Sequence, residues 1–334
     1  MKLPLLVLLA TLVSLAPTKL IADERPAVEA PLASLELTAG TSLVFAEPAA
    51  AREVLLADDD YSRRLSRFDL QARLQTDRAV TKDDWKKLVT EQVVDWTPVE
   101  REKISKVVES LRPKLAPYRL RLPKEVLLIR TTGKEEGEAA YTRGNSIILP
   151  SKVLRYPSPQ FDALILHELF HVLSRHDAAT RHALYKIVGF TVRDEIEIPA
   201  SLEERRITNP DAPRLDSFIE LKNDEQQVTA VPIIYATPKD YDAKIGGTFF
   251  RYVTFKLLVV DKVDGKWQPR LRGDQPVVLD PAKVTSFHDQ IGKNTNYIIH
   301  PDEILADNFV HLIQRIPNLA TPRIVEQMAD VLKP

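Results

Sequence analysis

The sequence predicts an α+β fold, because helical and strand-like patterns occupy separate stretches of the chain. Residues 49–117 carry helix-start signals and apolar residues at helical spacing, with no run typical of a strand. Residues 125–149 hold short β-type runs with a turn signal at Gly144 and Asn145, which indicate a strand followed by a hairpin. Helical patterns return after residue 158 and again at residues 300–332.

The elements follow in order from local signals. In the helical N-terminal region, residues 49–117, Thr81 and Thr97 are expected to cap helices, and Pro98 suits a first helical position. The helices expected there cover residues 49–56, 61–74, 83–94 and 97–115. Strands are expected at residues 125–130, 139–142, 146–149, 228–235 and 248–260, and further helices at residues 158–173, 178–188, 300–316 and 322–332.

Composition excludes several classes of protein. The 334 residues include 44% hydrophobic and 28% charged residues, which is ordinary for a globular protein with a real core. The net charge is −1 and no basic run is interleaved with aromatic residues, so the sequence argues against binding to nucleic acid. There is no cysteine, so a metal site must use His, Asp or Glu side chains.

The first residues predict export. Lys2 precedes an almost wholly apolar run at residues 3–16, which is shorter than the ~20 apolar residues of a membrane span. We interpret residues 1–22 as a signal peptide, with an uncleaved anchor as the alternative, and residues 23–48 as a mobile lead-in. The protein is then expected to be secreted or periplasmic, with no membrane span after signal removal.

One helical segment carries a metal-binding pattern. His167 and His171 are four residues apart, a spacing that places both imidazoles on one helix face, where they can hold one metal ion. Glu168 reaches the open side of that ion and can act as general base on a water molecule. The alternative is a helix with two surface or core histidines and no metal.

The run from His167 to His171, with Glu168, Leu169 and Phe170 between them, resembles the signature of the zincin metallopeptidases. The resemblance covers roughly residues 125–190 and 297–316. It implies a zincin-like catalytic domain at residues 118–334, with Zn²⁺ as cofactor and a long insert at about 190–296. It also implies a sheet-edge strand above the helix, here residues 139–142 or 146–149, that pairs with an extended peptide substrate.

Catalytic zinc usually has three protein ligands, and the zincin subgroups differ in the third. The metzincins place it six residues after the second histidine, following a glycine, which here corresponds to Asp177 and Ser174. Without glycine, the sharp left-handed turn of that group is costly. The only methionine after Met1 is Met328, within an expected helix, so the methionine turn of that group also lacks a candidate.

The gluzincins instead use a glutamate within Glu-x-x-x-Asp on a later helix, where the aspartate orients the first histidine. Three such pairs follow the motif: Glu220/Asp224, Glu303/Asp307 and Glu326/Asp330. We prefer Glu303 as ligand and Asp307 as its partner, because both lie at the edge of the apolar arc of their expected helix. An ordinary helix-start carboxylate is the alternative for Glu303. The long insert before Glu303 departs from gluzincins such as thermolysin.

The reaction also needs a donor that stabilises the developing oxyanion. Tyr297 and His300 lie just ahead of Glu303 and are the candidates for this catalytic role, with a loop tyrosine and a helix-cap histidine as the alternatives. Together these residues predict a zinc metallopeptidase that acts on a peptide or protein substrate. A zinc-bearing binding scaffold without catalysis and a zinc amidase acting on cell-wall peptides remain alternatives.

Overall fold

A mixed five-stranded sheet lies above the helix that carries the metal-binding pattern. The computed structural model describes residues 34–333, so the signal peptide predicted at residues 1–22 lies outside the described residues. The sheet consists of β1 (Ser34–Thr38), β2 (Thr41–Phe45), β3 (Glu125–Thr131), β4 (Tyr141–Arg143) and β5 (Ser146–Pro150). Its strand order is β1-β2-β3-β5-β4, so the short strand β4 forms one edge.

The helical N-terminal region has the expected caps. Its helices are α1 (Pro48–Leu56), α2 (Asp60–Arg63), α3 (Arg67–Leu74), α4 (Lys82–Gln92) and α5 (Pro98–Leu115). The side chains of Thr81 and Thr97 accept hydrogen bonds from the third backbone N–H of α4 and α5, and the acidic side chains at those third positions bond back to the caps. These helices share cores with the sheet, since buried α5 residues pack with β1, β2 and β3 residues.

Four further helices share the core cluster of α5. They are α6 (Ser158–His176), α7 (Ala178–Ile187), α10 (Pro301–Gln314) and α11 (Pro322–Leu332). Helix α6 packs against α10, where the rings of Phe170 and Phe309 have centroids 5.7 Å apart. Within the described residues, no helix has the length and apolar character required to cross a membrane.

The long insert forms a second, antiparallel sheet. Its strands are β6 (Phe190–Val192), β7 (Ser217–Asn223), β8 (Gln226–Ala236), β9 (Val253–Val263), β10 (Lys266–Pro269) and β13 (Val278–Leu279), in the order β10-β9-β8-β7-β6, with β13 also on β9. The remaining elements are the hairpin β11 (Leu271–Arg272) with β12 (Gln275–Pro276), and the short helices α8 (Ala200–Glu203) and α9 (Thr285–Ile291). The fold is therefore α+β, with the helices and strands that the sequence predicts in separate stretches.

Three expectations are wrong. Residues 23–48 were expected to be a mobile lead-in, but residues 34–45 of that range form the β1–β2 hairpin. The hairpin buries Leu35, Leu37, Leu43 and Phe45. The single helix expected at residues 61–74 is two helices, because Ser66 caps a new start at α3. The strand expected from residue 248 begins only at Val253, after a 3₁₀ turn at Phe249–Arg251.

Candidate metal centre

Two helices bring the predicted metal-binding residues together. Helix α6 carries His167, Glu168 and His171, and α10 carries Glu303 and Asp307. The opposite side of α6 is anchored in the core by buried apolar side chains, among them Ile165, Leu169, Phe170 and Leu173. Because both helices are packed in one core, their polar faces are held in a fixed relation.

The three predicted ligands converge on one point. Nε2 of His167 lies 3.1 Å from Oε2 of Glu303, and Nε2 of His171 lies 3.4 Å from the same oxygen. Donor atoms around a tetrahedral ion with bonds of ~2.0–2.1 Å lie about 3.3 Å apart. One donor atom from each of His167, His171 and Glu303 lies within 4.8 Å of the others. The spacing therefore matches the separation that a shared ion requires.

Each imidazole is oriented by a carboxylate on its other nitrogen. Nδ1 of His167 lies 3.0 Å from Oδ1 of Asp307, as the sequence predicts. Nδ1 of His171 lies 2.7 Å from Oδ2 of Asp302, a partner that the sequence analysis missed. Such bonds leave Nε2 of each ring free to face the metal. Asp302 is adjacent to Glu303 at the start of α10, where an acidic residue is also expected for helix stability alone.

Further bonds hold these carboxylates. Oδ1 of Asp302 accepts hydrogen bonds from the hydroxyls of Ser174 and Tyr185, the latter at 2.8 Å. Asp307 accepts from the hydroxyl of Thr295. Asp302 is almost fully buried, whereas the side chain of Asp307 is 30% exposed. The His171 side is therefore the more rigidly enclosed half of the site.

The charges of the centre favour an added cation. Burial opposes ionisation of His167, but hydrogen bonds to Asp307 and Glu303 outweigh it and raise its pKa to about 10. Burial likewise opposes ionisation of Glu303, yet the two imidazoles hold its pKa well below the usual value. Burial, reinforced by the carboxylate of Asp211, raises the pKa of Glu168 to about 8. Positive charge at the two rings is thus strongly stabilised, whether a proton or a metal ion supplies it.

Among the buried side-chain atoms without partners in the described part of the chain, two belong to the predicted motif. Nε2 of His171 makes no hydrogen bond, although Glu303 is 3.4 Å away, and Oε2 of Glu168 makes none either. Both atoms belong to side chains that are at most 3% exposed. Buried polar atoms are normally paired. A group bound between Nε2 of His171 and Oε2 of Glu168 would give both atoms a partner. Two imidazoles and one carboxylate are a donor set that zinc accepts.

The insert contributes two site residues that the sequence analysis did not identify. Nδ2 of Asn209 donates to Oε1 of Glu303 at 2.6 Å, which leaves Oε2 directed toward the histidines. Asp211 lies close enough that one of its oxygens is within 4.8 Å of donor atoms of Glu168 and His171. Glu168, His171 and Asp211 could therefore also hold a metal ion. However, Oδ1 of Asp211 already accepts two hydrogen bonds from Thr142.

A cleft of about 400 Å³ opens onto the centre. Its lining includes Ala139 and Ala140, just ahead of the edge strand β4, and Tyr297. The ring of Tyr297 stacks on that of His167, with centroids 6.2 Å apart and planes at 22°. Tyr297 therefore lies beside the candidate metal ligands.

His300 does not reach this cleft. Its Nδ1 accepts a hydrogen bond from the backbone N–H of Asp302 at 3.1 Å and caps α10, and its ring lines other cavities. His300 therefore has the helix-cap position that was the alternative for it, and it is not among the residues that line the cleft. Asp177 caps α7 and pairs with Arg121 at 3.2 Å, away from the centre.

Comparisons of the chain with protein-family models, with curated proteins and with solved structures find no match.

Proposed function

We propose that the protein is a zinc-dependent peptidase. The observation that supports this most directly is the convergence of His167, His171 and Glu303, with the unpartnered carboxylate oxygen of Glu168 beside them. A purely structural zinc site uses four protein ligands, whereas three ligands and a free acidic side chain are typical of hydrolysis. A cleft beside the same residues provides access for a substrate.

The roles of the residues follow from their positions. His167, His171 and Glu303 would hold the ion, with Asp307, Asp302 and Asn209 fixing the three ligands in place. Zinc, when bound, supplies Lewis-acid polarisation of the scissile carbonyl and lowers the pKa of the attacking water.

Glu168 takes the proton from the water as the new C–O bond forms, and it gives that proton to the leaving nitrogen as the C–N bond breaks. Tyr297, which lines the cleft with its ring against His167, would donate its hydroxyl to the developing oxyanion.

The edge strand supports a peptide as the substrate class. Strand β4 is at the end of the sheet, and residues 139 and 140, which precede it in the chain, line the cleft. An extended peptide can add to such an edge by backbone hydrogen bonds, without regard to most of its side chains. The cleft thus combines the metal-binding residues with a backbone template.

Glu168→Gln tests the proposal. We expect the variant to bind zinc like the wild type and to lose at least a hundredfold in peptide hydrolysis, because the proton acceptor is removed while the ligands stay. Glu138→Gln is the matched control, since Glu138 also lines the cleft but lies outside the metal centre. Hydrolysis of a broad peptide library by Glu168→Gln at the wild-type rate would refute the mechanism. Zinc binding by the wild type without any hydrolysis would instead favour a binding scaffold.

A further inference from the structure

A segment of the insert closes one end of the metal cleft. This segment, residues 209–214, lines the cleft through Asp211 and lines a second cavity of about 260 Å³ through Pro210, Asp211, Ala212 and Pro213. Asp211 therefore belongs to the lining of both cavities. The segment bounds the metal cleft at Asp211, where a bound peptide would meet it.

The segment is fixed by bonds to three parts of the site. Arg175, one turn beyond His171 on α6, donates to the carbonyls of Pro210 at 3.2 Å and Asp211 at 2.9 Å. Asn209 donates to Glu303 at 2.6 Å. The segment is therefore bonded to helix α6, which carries His167 and His171, and to the proposed metal ligand Glu303.

The segment also occupies the edge strand. Oδ1 of Asp211 accepts from the backbone N–H of Thr142 at 2.6 Å and from its hydroxyl at 2.8 Å. The side chain of the next residue, Arg143, donates to the carbonyls of Leu55 and Ala57 and to Asp59. Because Asp211 already occupies the backbone N–H of Thr142, an incoming peptide would pair with the part of the edge ahead of Thr142, at Ala139 and Ala140.

The closed end has the chemistry of a cation site. The cleft is lined by five carboxylates, and among the described residues no Lys or Arg lines it: Glu138, Glu168, Asp211, Glu303 and Asp307. Oδ2 of Asp211 makes no hydrogen bond within residues 34–333, which leaves an acceptor at the closed end. The buried, unpartnered oxygen of Glu168 faces the same space. Even with a divalent ion bound, this lining attracts a positive group and repels a carboxylate.

Asp211 is near enough to the centre to hold the N-terminus of a substrate. In a peptide, the α-nitrogen lies ~2.5 Å from the carbonyl carbon of its own residue, and an ammonium–carboxylate hydrogen bond adds ~2.8 Å. A carboxylate that holds a free N-terminus is therefore no more than about 5 Å from the reacting carbon. An oxygen of Asp211 lies at most 4.8 Å from donor atoms of Glu168 and of His171, so it is in the immediate neighbourhood of the centre, as that role requires.

We propose that the protein is an aminopeptidase in which Asp211 binds the free α-ammonium of the substrate and segment 209–214 excludes any residue before it. This inference rests on the proposed peptidase function and adds the substrate class. The first peptide bond then lies at the metal centre, and the rest of the peptide runs along Ala139 and Ala140. Product release yields one amino acid and a peptide shortened by one residue.

The test compares peptide pairs that differ only in an N-terminal acetyl group. The zinc-loaded wild type should release the first residue of the free peptide and leave the acetylated one intact. Asp211→Asn retains an oxygen for the N–H of Thr142 but loses the charge, so KM for the free peptide should rise about tenfold or more. Glu138→Gln is the control for charge alone, since it removes one negative charge from the same lining but not from segment 209–214, and it should raise KM less than Asp211→Asn does.

A binding measurement provides a readout without turnover. In the Glu168→Gln protein, the free peptide should bind at least tenfold more tightly than its acetylated form, and adding Asp211→Asn should abolish that difference. Zinc content of Asp211→Asn should equal that of the wild type.

Four results would overturn the inference. Internal cleavage of acetylated peptides at rates like those of free ones would refute it and leave the peptidase proposal standing. Loss of zinc in Asp211→Asn would make Asp211 a ligand, and faster cleavage of all peptides by that variant would make the segment inhibitory. Absence of hydrolysis with any peptide would refute the proposed function itself.

Discussion

Replacing Asp302 by Asn should weaken zinc binding through the wrong tautomer of His171. In the wild type, Oδ2 of Asp302 accepts from Nδ1 of His171 at 2.7 Å, which keeps Nε2 free of a proton. Oδ1 accepts from Ser174 and Tyr185, so the amide oxygen of Asn is best placed there and its NH₂ group faces His171. A donor at that position requires Nδ1 to accept, which moves the proton to Nε2 and blocks coordination.

The size of the effect follows from the burial of the two orienting carboxylates. Loss of such a partner typically costs 10–100-fold in metal affinity. Asp302 is 3% exposed and water cannot replace it, so we expect about a 100-fold loss, or ~2.7 kcal/mol. The side chain of Asp307 is 30% exposed, so Asp307→Asn should cost only about tenfold.

Competition titration against a zinc chelator measures both affinities directly. Thermal unfolding of the zinc-free proteins serves as the control for folding, and only variants that unfold cooperatively are compared. Unchanged zinc affinity in Asp302→Asn would refute the tautomer argument. A larger loss in Asp307→Asn than in Asp302→Asn would refute the argument from burial.

Three further predictions concern other parts of the chain. Tyr297→Phe should lower kcat about 100-fold with zinc content unchanged; equal kcat would exclude Tyr297 as the oxyanion donor. Burial raises the pKa of Glu135 from 4.5 to about 7, so the folded state binds this proton more tightly and stability should fall by about 3 kcal/mol as the pH rises from about 4.5 to 7. Glu135→Gln should lack that fall in urea unfolding at pH 5 and 8. Leu43→Ala, at a fully buried position in β2, should cost about 2–5 kcal/mol of unfolding free energy, whereas no change would mean that the hairpin at residues 34–45 is dispensable.

Local signals identified the elements whose cues lie within one turn. The helices capped by Thr81 and Thr97 begin where the sequence predicts, because the cap and its reciprocal acid lie three residues apart. The hairpin of β1 and β2 was missed because the Ala- and Pro-rich composition of residues 23–48 obscured an alternation of Leu35, Leu37, Leu43 and Phe45, whose burial depends on distant strand β3 and helix α5.

The site residues also fall into those that local spacing identifies and those that only the tertiary fold brings to the centre. His167, Glu168 and His171 follow from spacing on one helix, and Glu303 with Asp307 from the apolar arc of another. Asn209 and Asp211 reach the centre through the path of the insert, which no local pattern specifies. Asp302 was visible in the sequence, but its contact with His171 depends on how α10 packs against α6.

Crystals grown with zinc and measured at the zinc absorption edge would locate the ion directly. We expect one anomalous peak per chain, at ~2.0–2.2 Å from Nε2 of His167, Nε2 of His171 and the carboxylate of Glu303. A zinc-loaded protein whose peak lies elsewhere, or is bound by Asp211 in place of Glu303, would contradict this expectation.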